Sequence, residues 1–417
     1  MVLTQTMAML VDAYRELNSR KMFWITLVLS GIVVAGIACV GIDKNGLTVL
    51  WWSFPLDLFN TTYLSAAAFY KQVFLTLGFN IWLSWVATIL ALISTASIIP
   101  EFVTGGSIEL SLSKPIARLR LFLTKCMAGL LFVGLQVSVF AVASFLVIGL
   151  RGGDWEWAIF YSIPLVLLFF SYLYCVGVLV GLLTRSTIAA LLLTLLFWFV
   201  LFVLHAGEQG VLSFKLRNEQ ALAEIDRQVA ALPATIEKTQ ARITDLGTPP
   251  AQESDDDRAK REGRIATLQA SLAGLQLRLN NEKAKRPEYE STLSTLTKWH
   301  TGLFAVKTLL PKTTETMALL ERRLVPMDDF ARLREAQDER RSERRREREE
   351  RRSARDPDVP SVEAGNGDGG GNFETEVSRR QQEIVRSRSV LWVIGTSLAF
   401  QLVVLGIACW IFTRRDF

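Results

Sequence analysis

Histidine and cysteine are scarce in this chain, with two and four among 417 residues. Cys39, Cys126, Cys175 and Cys409 all lie in or beside apolar runs, and no C-x-x-C pair occurs. That excludes a disulfide framework and a cysteine metal site. His205 and His300 stand one at each membrane-proximal end of a long polar insert, and could sit near each other. Two histidines alone make a poor metal site, so they read as interfacial side chains reaching for the headgroup layer, and no metal is expected. No G-x-x-x-x-G-K-[ST] loop is present to cradle ATP, and no H-E-x-x-H, G-x-S-x-G or paired-carboxylate pattern marks a catalytic centre. Charged residues are absent from the interior of the apolar runs, which argues against a carrier driven by buried Asp, Glu or Lys. No enzyme activity, catalytic residue or bound cofactor is expected here. Energy for any movement must come from elsewhere.

What the chain has in quantity is apolar surface. Half of its residues are hydrophobic and 21% are charged, and the two populations are segregated. Residues 207–389 hold 33 Lys/Arg and 32 Asp/Glu, while the remainder holds 13 and 9, placed at the ends of apolar runs. The isoelectric point near 9.0 is therefore a membrane-topology signature, and no nucleic-acid partner is expected. The apolar runs cover Met22 to Ile42, 78–100, about 123–150, about 157–183, about 187–206 and 390–413. Runs of ~20 apolar residues at 1.5 Å rise cross a ~30 Å hydrocarbon core, so six transmembrane helices are predicted. Pro164, inside the fourth, should kink it. Residues 43–77 read as a loop whose Trp51, Trp52, Tyr63 and Tyr70 favour the headgroup layer. Residues 1–21 read as an amphipathic lead-in. Its length and the full apolar run that follows do not fit a cleaved signal peptide.

One polar stretch between two spans carries an ordered pattern, EFVTGGSIELSLSKPIARLRLFLTK from Glu101 to Lys125. An acid, Glu101, precedes Gly105 and Gly106. Then come Ser107, a second acid Glu109, the apolar residues Ile108, Leu110 and Leu112, Ser113-Lys114-Pro115, and the basic Arg118, Arg120 and Lys125. By chemistry alone this is an amphipathic element at a membrane face, and its basic residues could simply anchor to lipid headgroups. The order of its residues resembles the loop after the second span in permeases of type-2 ABC exporters, through Glu101, Gly106, Ser107, Glu109, Leu112, Ser113, Lys114, Pro115, Arg118 and Lys125. The resemblance implies that Glu101, Gly105, Gly106, Glu109, Lys114, Pro115, Arg118 and Lys125 form an interface with a separate cytoplasmic ATPase, where ATP and Mg would be held. It also implies a second permease copy, identical or related, and a transmembrane domain over 1–206 whose lead-in is a cytoplasmic amphipathic helix. It extends to the sixth span and tail, 390–417, and covers about 230 residues.

The insert lies outside that resemblance. Leu222, Ile225, Val229, Leu232, Ile236, Thr239, Ile243 and Leu246 alternate three and four apart, the seam of a coiled coil. GTPPAQESDDD from Gly247 to Asp257 breaks it. A second seam runs through Ile265, Leu268, Leu272, Leu275, Leu279, Tyr289, Leu293 and Leu296, interrupted at Glu282 and Arg286. The expected form is an antiparallel hairpin ~40–50 Å long. Leu303 to Leu310 is apolar but too short to span, and reads as a segment dipping into the outer membrane face. With the hairpin it makes up 207–311. Residues 312–389 read as a charged helix, with Arg and Glu interleaved over Asp328 to Arg355, then a flexible linker at 356–372 and a helix at 374–389 feeding the last span.

Six spans put both termini on one side. Basic residues collect in the lead-in, the 101–125 loop, Arg185 and Arg414–Arg415, so that side is expected to be the cytoplasm of a bacterial inner membrane. The insert is then periplasmic, although Arg386 and Arg388 run against the charge bias. The function expected is a permease subunit whose hairpin, over 212–300, meets a periplasmic protein. A membrane-anchored coiled-coil scaffold or sensor that transports nothing is the competing expectation. The 101–125 loop distinguishes the two, since a scaffold has no need of it.

Overall fold

A computed structural model describes residues 21–44, 46–55, 61, 65–104, 117–248, 255–324, 343, 347 and 369–415. The chain divides into two compact units: Met1–Val203 with Lys307–Val362 and Arg388–Phe417, and Leu204–Val306 with Glu363–Ser387. Among the described residues six helical stretches are long and apolar enough to cross a bilayer: Lys21–Cys39, Ala66–Thr104, Arg118–Gly152, Trp157–Thr184, Thr187–Gly247 and Val390–Arg414. The chain is a multi-pass, predominantly α-helical membrane protein.

In the first unit, α1 (Lys21–Cys39) runs into a small antiparallel sheet of β1 (Val40–Asp43), β2 (Gly46–Val49) and β3 (Trp52–Pro55), in the order β1-β2-β3. These strands fall where an unstructured loop is expected from the sequence. The chain reverses at Gly46, whose φ of 135° suits glycine, and again at Leu50, whose φ of 56° is unusual for a side chain of its size. Trp51 and Trp52 are exposed beside these strands, as befits headgroup-layer residues.

The second span begins at Ala66, twelve residues before the start expected at 78. It opens with α2 (Ala66–Val73), capped by the Ser65 hydroxyl, which accepts from the Ala68 amide. Lys71 is tolerated in this helix because it pairs with Asp154 at 3.3 Å and Glu156 at 2.6 Å on the loop between the third and fourth spans. Phe74–Ala87 then winds more widely, with i→i+5 hydrogen bonds. Its buried residues come in pairs four apart: Phe74 and Leu75, Gly78 and Phe79, Trp82 and Leu83. Gly78 allows a close approach there: a Cβ would stand 3.1 Å from the Phe140 ring, so the ring would have to give by a few tenths of an ångström. The span ends through α3 (Thr88–Thr95) and α4 (Ile98–Thr104).

The third span is α5 (Arg118–Val147), finished by one wide turn at Ile148–Gly152. The fourth starts with a tight turn at Trp157–Tyr161 and continues as α6 (Ser162–Thr184). Pro164 is the third residue of α6, in the first turn, where helix amides have no intrahelical acceptor, so the expected mid-span kink does not arise. The fifth is the start of α7 (Thr187–Gly247), and the sixth is Val390–Arg414. Buried polar groups are satisfied between spans: the Trp82 indole donates to Ser30 Oγ at 3.1 Å and the Ser171 hydroxyl to Gln401 Oε1 at 2.9 Å.

The second unit holds α7 from Leu204 onward, α8 (Asp255–Leu309) up to Val306, and α10 (Gly369–Ser387). Seam positions such as Ile225, Leu232, Leu268 and Leu275 are less exposed than their neighbours. The contacts between α7 and α8 run in opposite sequence order: Arg261 donates to the Leu246 carbonyl at 3.1 Å, Arg278 to Gln228 at 3.4 Å, and Arg286 pairs with Asp226 at 3.0 Å. Arg286, where the seam is interrupted, thus bridges the two helices. Pro233 and Pro287 lie within these helices on exposed positions. On α10, Val377 packs against Leu212 and Leu216 of α7.

The segment after α8 returns to the first unit. Here α9 (Thr313–Leu324) buries Met317, Leu320 and Leu324 and packs chiefly on α6, and α11 (Val390–Arg414) closes the unit against α6 and α5. The expected dip of Leu303–Leu310 is the end of α8 followed by Pro311, and it is α9 that packs into the bundle.

Candidate functional site

Of the residues expected at an ATPase interface, Glu101, Arg118 and Lys125 are described, while Gly105, Gly106, Glu109, Lys114 and Pro115 lie outside the described residues. So do the lead-in over 1–20 and most of the charged stretch over 325–368. The three that are described sit on the helices flanking the stretch, at one end of the first unit. Glu101 is exposed in the first turn of α4, and Arg118 is exposed at the first position of α5. Their helices are held by an aromatic stack: Phe412 of α11 lies on Phe122 of α5 (4.9 Å between rings) and on Phe102 of α4 (6.2 Å). The Lys125 amine stands 5.7 Å over the Phe102 ring. Arg118 donates to the Arg415 carbonyl at 3.3 Å, and Arg415 to the Leu182 carbonyl at 2.9 Å. Pro100 seats against Gly181 of α6, where a Cβ would approach its ring carbons at 3.2 Å. The flanks of the polar stretch are therefore fixed to the fourth and sixth spans, with Glu101 and Arg118 presented outward.

A second group of polar residues in the same unit was not apparent from the sequence. Lys307, Lys312 and Glu315 are buried, with Glu315 2% exposed, and the Arg388 side chain beside them is 8% exposed. The Glu315 carboxylate pairs with the Lys307 amine and, at 3.1 Å, with the Arg388 guanidinium. Lys312 donates to Thr396 Oγ1 at 2.5 Å and to the carbonyls of Thr308 and Leu310 at 3.2 and 3.4 Å. Its amine lies 4.4 Å over the Trp392 ring, and its backbone amide donates to Ser397 at 2.9 Å. Arg322 donates to the Arg388 carbonyl at 3.0 Å. The group ties α9 to the start of α11. Each residue reads singly as an ordinary surface charge, and only the return of the chain after α8 buries them together.

Burial makes the charged amine of Lys312 costly and lowers its pKa to about 8, against 10.5 for a free lysine; Glu315 opposes this, while Lys307 and Arg388 add to it. Between those two values the unfolded chain binds more protons than the folded one, so this group adds stability as pH rises from about 8 towards 10.5. Below about 8 its burial cost is fully present. Lys312→Met removes the titration. The thermal transition of the wild type should therefore gain on that of the variant as pH rises across this window. A difference that stays constant with pH would show that Lys312 keeps the ordinary lysine value.

Within the second unit the two histidines meet one carboxylate. Glu208 of α7 is fully buried, and its Oε1 lies 3.6 Å from Nε2 of His300 on α8. His205, one turn before Glu208, has a ring nitrogen within 4.8 Å of a Glu208 oxygen. Glu208 Oε2 accepts from the Gln209 side-chain amide at 3.2 Å, and Gln381 of α10 donates to Gln209 Oε1 at 2.9 Å and to its carbonyl at 3.3 Å. The signal available in the sequence was the spacing His205-x-x-Glu208, which puts both side chains on one helix face. Histidine count alone does not reveal it. No protein-family model, curated protein or solved structure matches this chain.

Proposed function

We propose that the chain is a permease subunit of an ATP-driven exporter in a bacterial inner membrane, working with a separate cytoplasmic ATPase and a second permease copy. The observation that carries this reading is the polar stretch after the second span, whose flanking helices present Glu101 and Arg118 outward while stacked on α11 and seated on α6. A load applied there reaches several spans at once, which is what coupling to a moving ATPase requires. The charged residues of the described spans stay towards the span ends, which favours an external source of energy over a charge relay at mid-span. In this reading both termini are cytoplasmic, and α7 with α8 forms an antiparallel coiled-coil hairpin in the periplasm that meets a partner protein through 212–300.

The test is co-purification of the tagged chain from native membranes beside Glu109→Lys and a chain lacking 212–300. An ATP-binding subunit should accompany the wild type and the shortened chain and be lost, by ~10-fold or more, with Glu109→Lys, since a reversed charge at an interface costs several kcal/mol. Absence of an ATPase from every preparation would leave the non-transporting scaffold as the better account.

A further inference from the structure

We propose that His205, Glu208 and His300 form a divalent-metal site, with zinc as its natural occupant, that clips α7 to α8. The chain has only two histidines, 95 positions apart in sequence, and the fold brings both to one buried carboxylate. Two imidazoles and one carboxylate are a common three-residue ligand set for zinc, leaving a fourth position for water or another ligand. The separation of Glu208 Oε1 and His300 Nε2, 3.6 Å, is close to the ~3.3 Å expected between neighbouring ligand atoms around a tetrahedral ion at ~2.0–2.1 Å. His205, one turn before Glu208 and on the same helix face, has a ring nitrogen within 4.8 Å of a Glu208 oxygen. The carboxylate is also oriented: one oxygen accepts from Gln209, whose amide is held by Gln381, and Oε1 lies towards His300. Leu212, Leu216 and Val377 form a buried apolar cluster one to two turns further along α7. The site is independent of any transport role.

The rival arrangement is a proton shared between His300 and Glu208, and the experiment separates the two. Full-length protein in detergent is stripped with a chelator, dialysed against micromolar zinc and analysed for bound metal. The wild type should retain about one zinc per chain. His205→Leu, His300→Leu and Glu208→Gln should each lose it while remaining monodisperse with unchanged helix content. His300→Cys offers a zinc ligand but no imidazolium, so it should keep the metal. Wild-type protein that takes up no zinc, or zinc uptake that survives both histidine-to-leucine changes, would overturn the proposal. Failure of His300→Cys alone to bind, with wild type binding and His300→Leu empty, would still place the metal on His300. Loss of binding only in variants that aggregate would be resolved by His300→Cys, whose zinc content then decides.

Discussion

Glu315→Leu should cost about 3–5 kcal/mol, the usual penalty for removing one partner of a buried ion pair. The loss leaves Lys307 and Arg388, both nearly inaccessible, facing each other with their shared carboxylate gone. It also frees α9 from the start of α11, since Glu315 sits on the first and receives Arg388 at the mouth of the second. For a chain of this size the drop in the thermal transition should be roughly 10 °C. Thermal unfolding in detergent, followed by loss of monodisperse protein, gives the number. Replacing Lys307 and Arg388 by methionine alongside Glu315→Leu should restore most of the loss, because an apolar replacement has no charge to desolvate. A single variant as stable as the wild type would mean that the carboxylate neutralises nothing in the fold.

Gly129→Ala should also be clearly damaging, although it adds only one methyl group. A Cβ at that position would stand 2.5 Å from the Tyr174 hydroxyl and 2.6 Å from the ring carbon that bears it. Tyr174 is fixed in turn, 5% exposed and stacked on Phe170 at 5.5 Å. In a bilayer, spans associate through close packing more than through expulsion of water, so a lost close approach is not recovered elsewhere. The expected cost is about 1–3 kcal/mol, the range for overpacking a filled interior. The partner variants make the cause visible. Tyr174→Phe removes only the hydroxyl, which has no hydrogen-bond partner among the described residues, and leaves the ring carbon in the way. Tyr174→Leu removes the ring. Gly129→Ala should therefore remain harmful beside Tyr174→Phe and become close to neutral beside Tyr174→Leu. Equal harm in both backgrounds would place the clash elsewhere.

The spans were legible because the bilayer imposes a length, and each uncharged run of about twenty residues met it. Their starts were less so. The second span begins at Ala66 rather than 78 because Lys71, which reads as a loop residue, is neutralised by Asp154 and Glu156 some eighty positions later. Pro164 looked like a mid-span kink until the helix start at Ser162 placed it in a first turn. Between Val40 and Pro55 the alternation was too short and too rich in tryptophan to separate strand from loop. The seam residues of α7 and α8 were predicted from spacing alone, and those positions are the less exposed ones. Arg286 looked like a flaw in that seam because its partner, Asp226, lies on the other helix. Both polar clusters escaped for the same reason: Glu315 with Arg388, and Glu208 with His300, are joined by long-range returns of the chain that no local pattern encodes.

The wide-wound stretch at Phe74–Ala87 gives the second span two pitches along one axis. Fourteen residues bonded i→i+5 make fewer turns than the same residues bonded i→i+4 would. Each bond that shifts from the wide to the ordinary pattern adds rotation, and everything downstream turns with it, Glu101 included. A thrust along this span would then emerge at its far end partly as torque, and a twist applied at Glu101 would emerge as a change in length. Interchange of the two windings would couple the length of the span to its rotation, which a uniformly wound helix does not do.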